Sequence, residues 1–197
     1  MKKIKIVVIF IATIAFIMIP LPAADIHLRF HFKDTIEGTY ALYYSTTSSG
    51  FSQEQCIVSD ISETTNGGYV SFCLNGNLEE QLTGIRLDFP AGEQLICISE
   101  IALSSAGIVQ KQFNPCKFFS DENLANQNDI SAVSTATAQD KVYIATIGKD
   151  PYMILSSDLT EEIRDGYSHL RLTRLGICLF ATACYFMYKK NLFSKES

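Results

Sequence analysis

Tryptophan is absent from this chain. It is the strongest aromatic stacking residue, so a platform for a sugar ring would have to use Tyr or Phe, of which there are 9 and 13. Positive charge is also in short supply. Sixteen Lys and Arg stand against 21 Asp and Glu, for a formal net charge of -5. A nucleic-acid surface needs a basic stripe, so nucleic acid is excluded as a partner. The signatures of common catalytic centres are missing too: there is no P-loop, no G-x-G-x-x-G, no G-x-S-x-G and no HExxH. No two cysteines are spaced as CxxC, and no Cys/His cluster has zinc-ligand spacing. These absences predict a protein that is not an enzyme, with no metal site and no cofactor.

What is present begins at the ends. Residues 1–24 start with Lys2, Lys3 and Lys5, continue as an apolar run interrupted only by Thr13, and finish at Pro20-Leu21-Pro22-Ala23-Ala24. That is the layout of a secretory signal peptide or an uncleaved signal-anchor. Pro22 or Leu21 falls where a cleavage site wants a small residue, which favours the anchor. The lysines stay inside, so the domain after residue 24 is expected on the far side of the membrane. Near the other end, residues 175–188 are uncharged and apolar. A span needs about 20 such residues, and Leu170 and Leu172 extend the run if Arg171 and Arg174 reach toward the headgroups. Lys189 and Lys190 would then lie in the cytoplasm. The alternative for this segment is an amphipathic helix docked on the domain.

The expected division is therefore a signal peptide or signal-anchor at 1–24, a β-sandwich domain at 25–156, a helical stalk and transmembrane helix at 157–190, and a cytoplasmic tail at 191–197. Both termini are cytoplasmic if the first segment is uncleaved. Asp158 is the expected N-cap of the stalk, with Glu161 completing a capping box.

Between the ends the signal is strand. Residues 25–33 alternate: Ile26, Leu28, Phe30 and Phe32 share one face, and His27, Arg29, His31 and Lys33 the other. The two histidines lie roughly 13 Å apart along an extended chain, too far to share a metal ion. Residues 82–103 read as a hairpin at the centre of the fold. Ile85, Leu87 and Phe89 alternate with Arg86 and Asp88, then Pro90-Ala91-Gly92 turns the chain. After the turn, Leu95, Cys97, Ser99 and Ile101 are expected on one face, with Ile96, Ile98 and Glu100 on the other. Residues 62–68 read as a polar loop, 118–128 as a polar loop or a short helical turn, and 131–139 as small, polar and weakly periodic. About nine short strands with little helix predict an all-β, jelly-roll-like sandwich. Cys56, Cys73, Cys97 and Cys116 are either disulfide partners, in any of three pairings, or simple core thiols. Cys178 and Cys184 fall in the apolar C-terminal run.

Two local patterns could carry recognition. Arg86 and Asp88 share a strand face at i and i+2, as a hydroxyl-binding edge or as a plain cross-strand charge pair, the plainer account being preferred. Asp150-Pro151-Tyr152 could set an aromatic beside a carboxylate, or simply begin a turn. Together with Tyr43-Tyr44-Ser45, Gly50-Phe51-Ser52, Ile85-Arg86-Leu87-Asp88 and the alternating strand at 96–101, this segment resembles the extracytoplasmic β-sandwich module of bacterial multi-pass membrane proteins of envelope-polysaccharide assembly, including glycosyltransferase-like proteins. The resemblance covers 25–156. It implies a carbohydrate-binding jelly roll, with Tyr44, Arg86, Asp88, Asp150 and Tyr152 as ligand-binding residues. Transferase activity does not carry over, because a membrane catalytic core is missing. The expected function is a non-catalytic, membrane-anchored module that binds or helps assemble cell-surface glycan. The alternative is a structural subunit packed against a larger multi-pass membrane protein. Expected partners are the lipid bilayer, surface polysaccharide and such a membrane protein.

Overall fold

The computed structural model describes residues 25–33, 37–64, 67–78, 81–105, 108–165 and the single positions 176, 179 and 182. Contacts divide the chain into two units, and nearly all described residues belong to the unit of residues 24–167. That unit is two antiparallel sheets. In chain order its strands are β1 (Ile26–Phe32), β2 (Ala41–Thr46), β3 (Cys56–Val58), β4 (Asp60–Thr64), β5 (Gly67–Leu74), β6 (Leu82–Asp88), β7 (Gln94–Ser105), β8 (Ile108–Phe113), β9 (Leu124–Asn128), β10 (Ile130–Ala136), β11 (Lys141–Thr146) and β12 (Tyr152–Leu155). The larger sheet runs β10-β11-β7-β1-β5-β4, with β8 also paired to β7, and the smaller runs β3-β2-β6-β12-β9.

β1 forms as its alternation dictates. Ile26, Leu28, Phe30 and Phe32 are buried, and His27, Arg29 and His31 are half-exposed on the outer face. His31 Nδ1 lies 2.7 Å from Ser99 Oγ, and its ring tilts against Tyr69. Among the described residues, no group of three His, Cys, Asp or Glu is placed to hold a metal ion. The sheets pack face to face. Phe30, Phe32, Phe72 and Ile98 from the larger sheet meet Leu87 and the following Phe89 from the smaller across one narrow gap. Edge-to-face contacts link Phe30 to Phe72 and Phe118.

The segment 82–103 is not a hairpin. β6 lies in the smaller sheet between β2 and β12, while β7 lies in the larger between β1 and β11, so the chain crosses from one sheet to the other. Phe89 and Pro90 are buried in the crossing. Phe89 N–H donates to Pro151 O and Gly92 N–H to Gly148 O, so the backbone bonds of this turn go to a neighbouring loop rather than back to its own strand. Alternation flanking a Pro/Gly turn fits a crossover as well as a hairpin, because both connect two half-buried strands. The expected facing of β7 also fails past Ile98. Opposite β1 the register steps from Phe32↔Ile98 to His31↔Glu100, a bulge at Ser99. Ile96, Ile98, Ile101 and Leu103 are consequently all buried, while Leu95 is exposed.

β4, β9 and β10 occupy stretches expected to be loop or irregular. β4 and β10 are edges of the larger sheet and β9 an edge of the smaller. Their exposed residues carry little of the apolar alternation that marks a strand.

Two α-helical segments among the described residues of this unit close it. α1 (Pro115–Phe118) has Asn114 accepting from Lys117 N–H and Pro115 at its start, and it buries Phe118. α2 spans residues 157–165. Its cap is Ser156, whose Oγ accepts from Leu159 N–H at 3.2 Å, and not Asp158. Leu159 and Ile163, one helical turn apart, are buried, and Glu162 pairs with Lys111 of β8 at 2.9 Å. Cys56, Cys73, Cys97 and Cys116 are all free thiols, and Cys97 is buried. No helix among the described residues is long and apolar enough to cross a membrane. The expected signal-anchor at 1–24, the transmembrane stretch at 175–188 with Cys178 and Cys184, and the tail at 191–197 lie outside the described residues, apart from positions 176, 179 and 182.

Candidate functional site

On the outer face of the smaller sheet, aromatic rings and carboxylates converge on a single cation. Register assembles the cluster. Arg86 of β6 stands opposite Tyr43 of β2 on one side and Ile154 of β12 on the other, and Asp88 stands opposite Tyr152. Ile85 and Leu87 point to the core and are buried, so Arg86 and Asp88 must point outward.

Arg86 grips Asp88 with both arms of its fork: Nε to Oδ1 at 2.6 Å and Nη2 to Oδ2 at 2.8 Å. Nη2 also reaches Asp150 Oδ1 at 3.2 Å. The guanidinium lies 3.8 Å from the Tyr152 ring centroid and 5.3 Å from that of Tyr43. The cation is thus held by charge in the plane and by π-density above it. Tyr43 O–H donates to Gln53 Oε1.

The electrostatics follow from this packing. Burial works against the Arg86 charge, but the bonds and charges of Asp88 and Asp150 outweigh it, and its pKa rises. Burial pushes the Asp88 carboxyl up, with Arg86 acting in the opposite sense and Asp150 adding to the rise. Tyr43 is raised as well, first by its hydrogen bond with Cys56 and then by burial. Asp88 is not a free base, since both its oxygens are occupied by Arg86. Asp150 is different: its side chain is 63% exposed, and only Oδ1 touches Arg86.

Asp150 is aimed by a backbone clamp. Asp129, with φ of 53° between β9 and β10, accepts from Lys149 N–H at 2.9 Å and Asp150 N–H at 3.1 Å through one oxygen. Asn128 Nδ2 donates to Asp150 O at 2.8 Å. Gly148 has φ of 78°, and a Cβ there would run into the Asp129 carboxylate. The loop that carries Asp150 is therefore fixed from below by β9 and its turn.

Arg86, Asp88, Asp150 and Tyr152 come together as one group, although they derive from two separate sequence patterns. Tyr44 does not join them. It pairs with Ile85, whose side chain is fully buried, so Tyr44 faces the opposite side of the sheet, and its neighbour Tyr43 takes the place beside Arg86. Leu42 was the available signal: an apolar residue that must point inward obliges Tyr43 to point out. Asn128 and Asp129 escape sequence reasoning because the stretch ending at 128 reads as a loop. Searches of family models, of curated proteins and of solved structures find nothing that matches this chain.

Proposed function

We propose that this chain is a non-catalytic, membrane-anchored β-sandwich of the jelly-roll kind, held outside the cytoplasmic membrane, and that the outer face of its smaller sheet binds cell-surface glycan. The observation that supports this most is the Arg86 cluster. A sugar offers hydroxyls at its edge and an apolar ring face. Asp150, Gln53 and Asn128 supply exposed polar groups beside the tyrosine rings of Tyr43 and Tyr152, and Arg86 holds both rings in place. Binding is favoured over catalysis because both Asp88 oxygens are already committed. One cation against two carboxylates leaves the cluster net negative, which favours neutral or amine-bearing sugars over polymers of acidic sugars. The export and anchoring part of the proposal rests on the lysine-led apolar segment at 1–24 and the apolar run at 175–188.

The test is a calorimetric titration of the full chain in detergent with neutral, amino and acidic fragments of envelope polysaccharide. Saturable millimolar binding that disappears in Arg86→Ala is expected. Absence of binding to every fragment at millimolar ligand would sink the proposal.

A second function, as a subunit against a multi-pass membrane protein, is favoured by one feature: Val58 and Ile61 are 63% and 43% exposed at the β3–β4 edge. Membrane crosslinking from a probe at Val58 would decide between them. A chain that crosslinks to nothing there does not use this flank for assembly.

A further inference from the structure

Phe51 adds a third aromatic ring to the outer face of the smaller sheet. It is 38% exposed, the one exposed phenylalanine among the described residues. Its seat is Gly84, where a Cβ would lie 3.2 Å from Phe51 Cζ and 2.6 Å from Ser45 Oγ. Gly84 is two residues from Arg86 on the outer face of β6, and it is buried under these two side chains. The loop around Phe51 is braced on both sides. Thr46 N–H donates to Ser49 O at 2.9 Å and Thr47 N–H to Gln81 O at 3.0 Å. Ser52 Oγ donates to Gln55 Oε1 at 3.2 Å, and Gln55 Nε2 donates to Ser49 Oγ. Register then sets three rings in file. Tyr152 stands opposite Asp88, Tyr43 opposite Arg86, and Ser45, beside Phe51, opposite Gly84. Asp88, Arg86 and Gly84 follow at every second residue of β6, about 7 Å apart, so the row is about 13 Å long. One exposed apolar side chain needs no explanation, but three rings in a row on one face do.

We infer that this face takes a run of linked sugar residues laid along β6, and that Phe51 is the stacking residue of a further subsite. The inference rests on the glycan reading of the Arg86 cluster. A pyranose ring is about the size of one aromatic side chain, so a single sugar covers one ring of the row and leaves the others wet. A linked chain brings apolar ring faces to all three at once. Beside Phe51, Ser45 Oγ and Thr83 Oγ1 lie 3.1 Å apart and offer neutral hydroxyls to the sugar's own. The carboxylates of Asp88 and Asp150 gather instead around Arg86. The Phe51 subsite therefore suits a neutral residue, and an amine on the chain belongs at the Asp150 end. Because its loop is already braced, Phe51 meets the chain with little ordering cost.

Two length series are titrated calorimetrically into the full chain in detergent: glucosamine and glucose, each from the monosaccharide to the β-linked tetrasaccharide. Affinity is expected to rise about tenfold from monosaccharide to trisaccharide in at least one series and then to level off. Phe51→Ala is expected to take about fivefold to tenfold from the trisaccharide affinity. Phe51→Tyr restores it, and circular dichroism is unchanged in both variants. Leu95→Ala, at an exposed apolar residue of the larger sheet, leaves both series as they were. Three results would overturn the inference and leave the glycan reading standing: native affinity independent of length, a trisaccharide affinity indifferent to Phe51→Ala, or a loss in Phe51→Ala that is the same for the monosaccharide. The last of these would make Phe51 a packing residue of the loop. No binding by either series would overturn the inference as well, and the titration with envelope fragments then decides the glycan reading by itself.

Discussion

Arg86 shows how much one side chain can organise. It sits between two tyrosine rings, is bound twice by Asp88 and once by Asp150, and is the group through which β2, β6 and β12 meet on the outer face. Arg86→Ala removes the cation from Asp88, whose side chain is only 17% exposed in the native structure, so a loss of about 1–3 kcal/mol in chemical denaturation is expected, together with loss of glycan binding. Arg86→Lys keeps the charge but not the fork or the flat stacking surface, and it is expected to recover little of either. A full recovery with Lys would show that charge alone mattered. Gly148→Ala tests the clamp from below. It forces a side chain into a left-handed position and displaces the Asp129 carboxylate, at an expected cost of about 1–3 kcal/mol. Glycan affinity falls with it if Asp150 contacts the ligand. The residues of this cluster were partly legible in sequence. The i, i+2 spacing put Arg86 and Asp88 on one face, and Asp150-Pro151-Tyr152 announced an aromatic next to a carboxylate. That the two patterns meet was not legible, because β6 and β12 are far apart in the chain and only strand order makes them neighbours. The choice between Tyr43 and Tyr44 turned on strand phase, which two adjacent tyrosines do not display.

At the scale of elements, the interior strands were readable and the edge strands β4, β9 and β10 were not. β1, β5 and β11 are half-buried and alternate accordingly. β9 and β10 bury no residue fully and leave most of theirs exposed, so burial imposes no period on their sequences. β7 misleads in another way. Its bulge at Ser99 places Ile98 and Ile101 both inward, three residues apart, a spacing that period-two counting assigns to opposite faces. The crossing between β6 and β7 looks like a hairpin in sequence because the turn chemistry is alike, and only the bonds from Phe89 and Gly92 to the 148–151 loop separate the two. The start of α2 is a further case. The capping box from Asp158 to Glu161 is a sound sequence pattern, yet Ser156 makes the bond to Leu159 N–H. Ser156→Ala is therefore expected to cost about 1 kcal/mol. Asp158→Ala in the same thermal melts is expected to cost clearly less, since that residue does not provide the cap. Equal losses would contradict the assignment of Ser156.

For the whole molecule, the all-β class followed from strand spacing and turn residues, while the pairing of the two sheets did not, since register across a sandwich is decided by contacts between distant segments. Tyr40 makes the sheet-to-sheet packing measurable. It lies just before β2 and is 4% exposed, with its ring edge-on to Phe32 of the larger sheet at 5.0 Å and to Phe89 beyond the smaller sheet's β6 at 6.3 Å. Burial, aided by the Glu37 charge, pushes its phenol from 10.0 up to about 12. Below pH 10 both the folded and unfolded chains keep the Tyr40 proton, and folding is indifferent to it. Between pH 10 and 12 the unfolded chain releases the proton while the folded chain retains it, so fewer protons are bound on unfolding and stability falls as pH rises. The full effect is about 3 kcal/mol, reached once pH passes the folded value. Urea midpoints measured from pH 9 to pH 12 are expected to drop for the native chain and to drop by less for Tyr40→Phe, whose ring fills the same space without a titrating group. Parallel curves for the two proteins would mean that Tyr40 is reached by water in the folded state, and that the sheets are not closed over it as the aromatic contacts require.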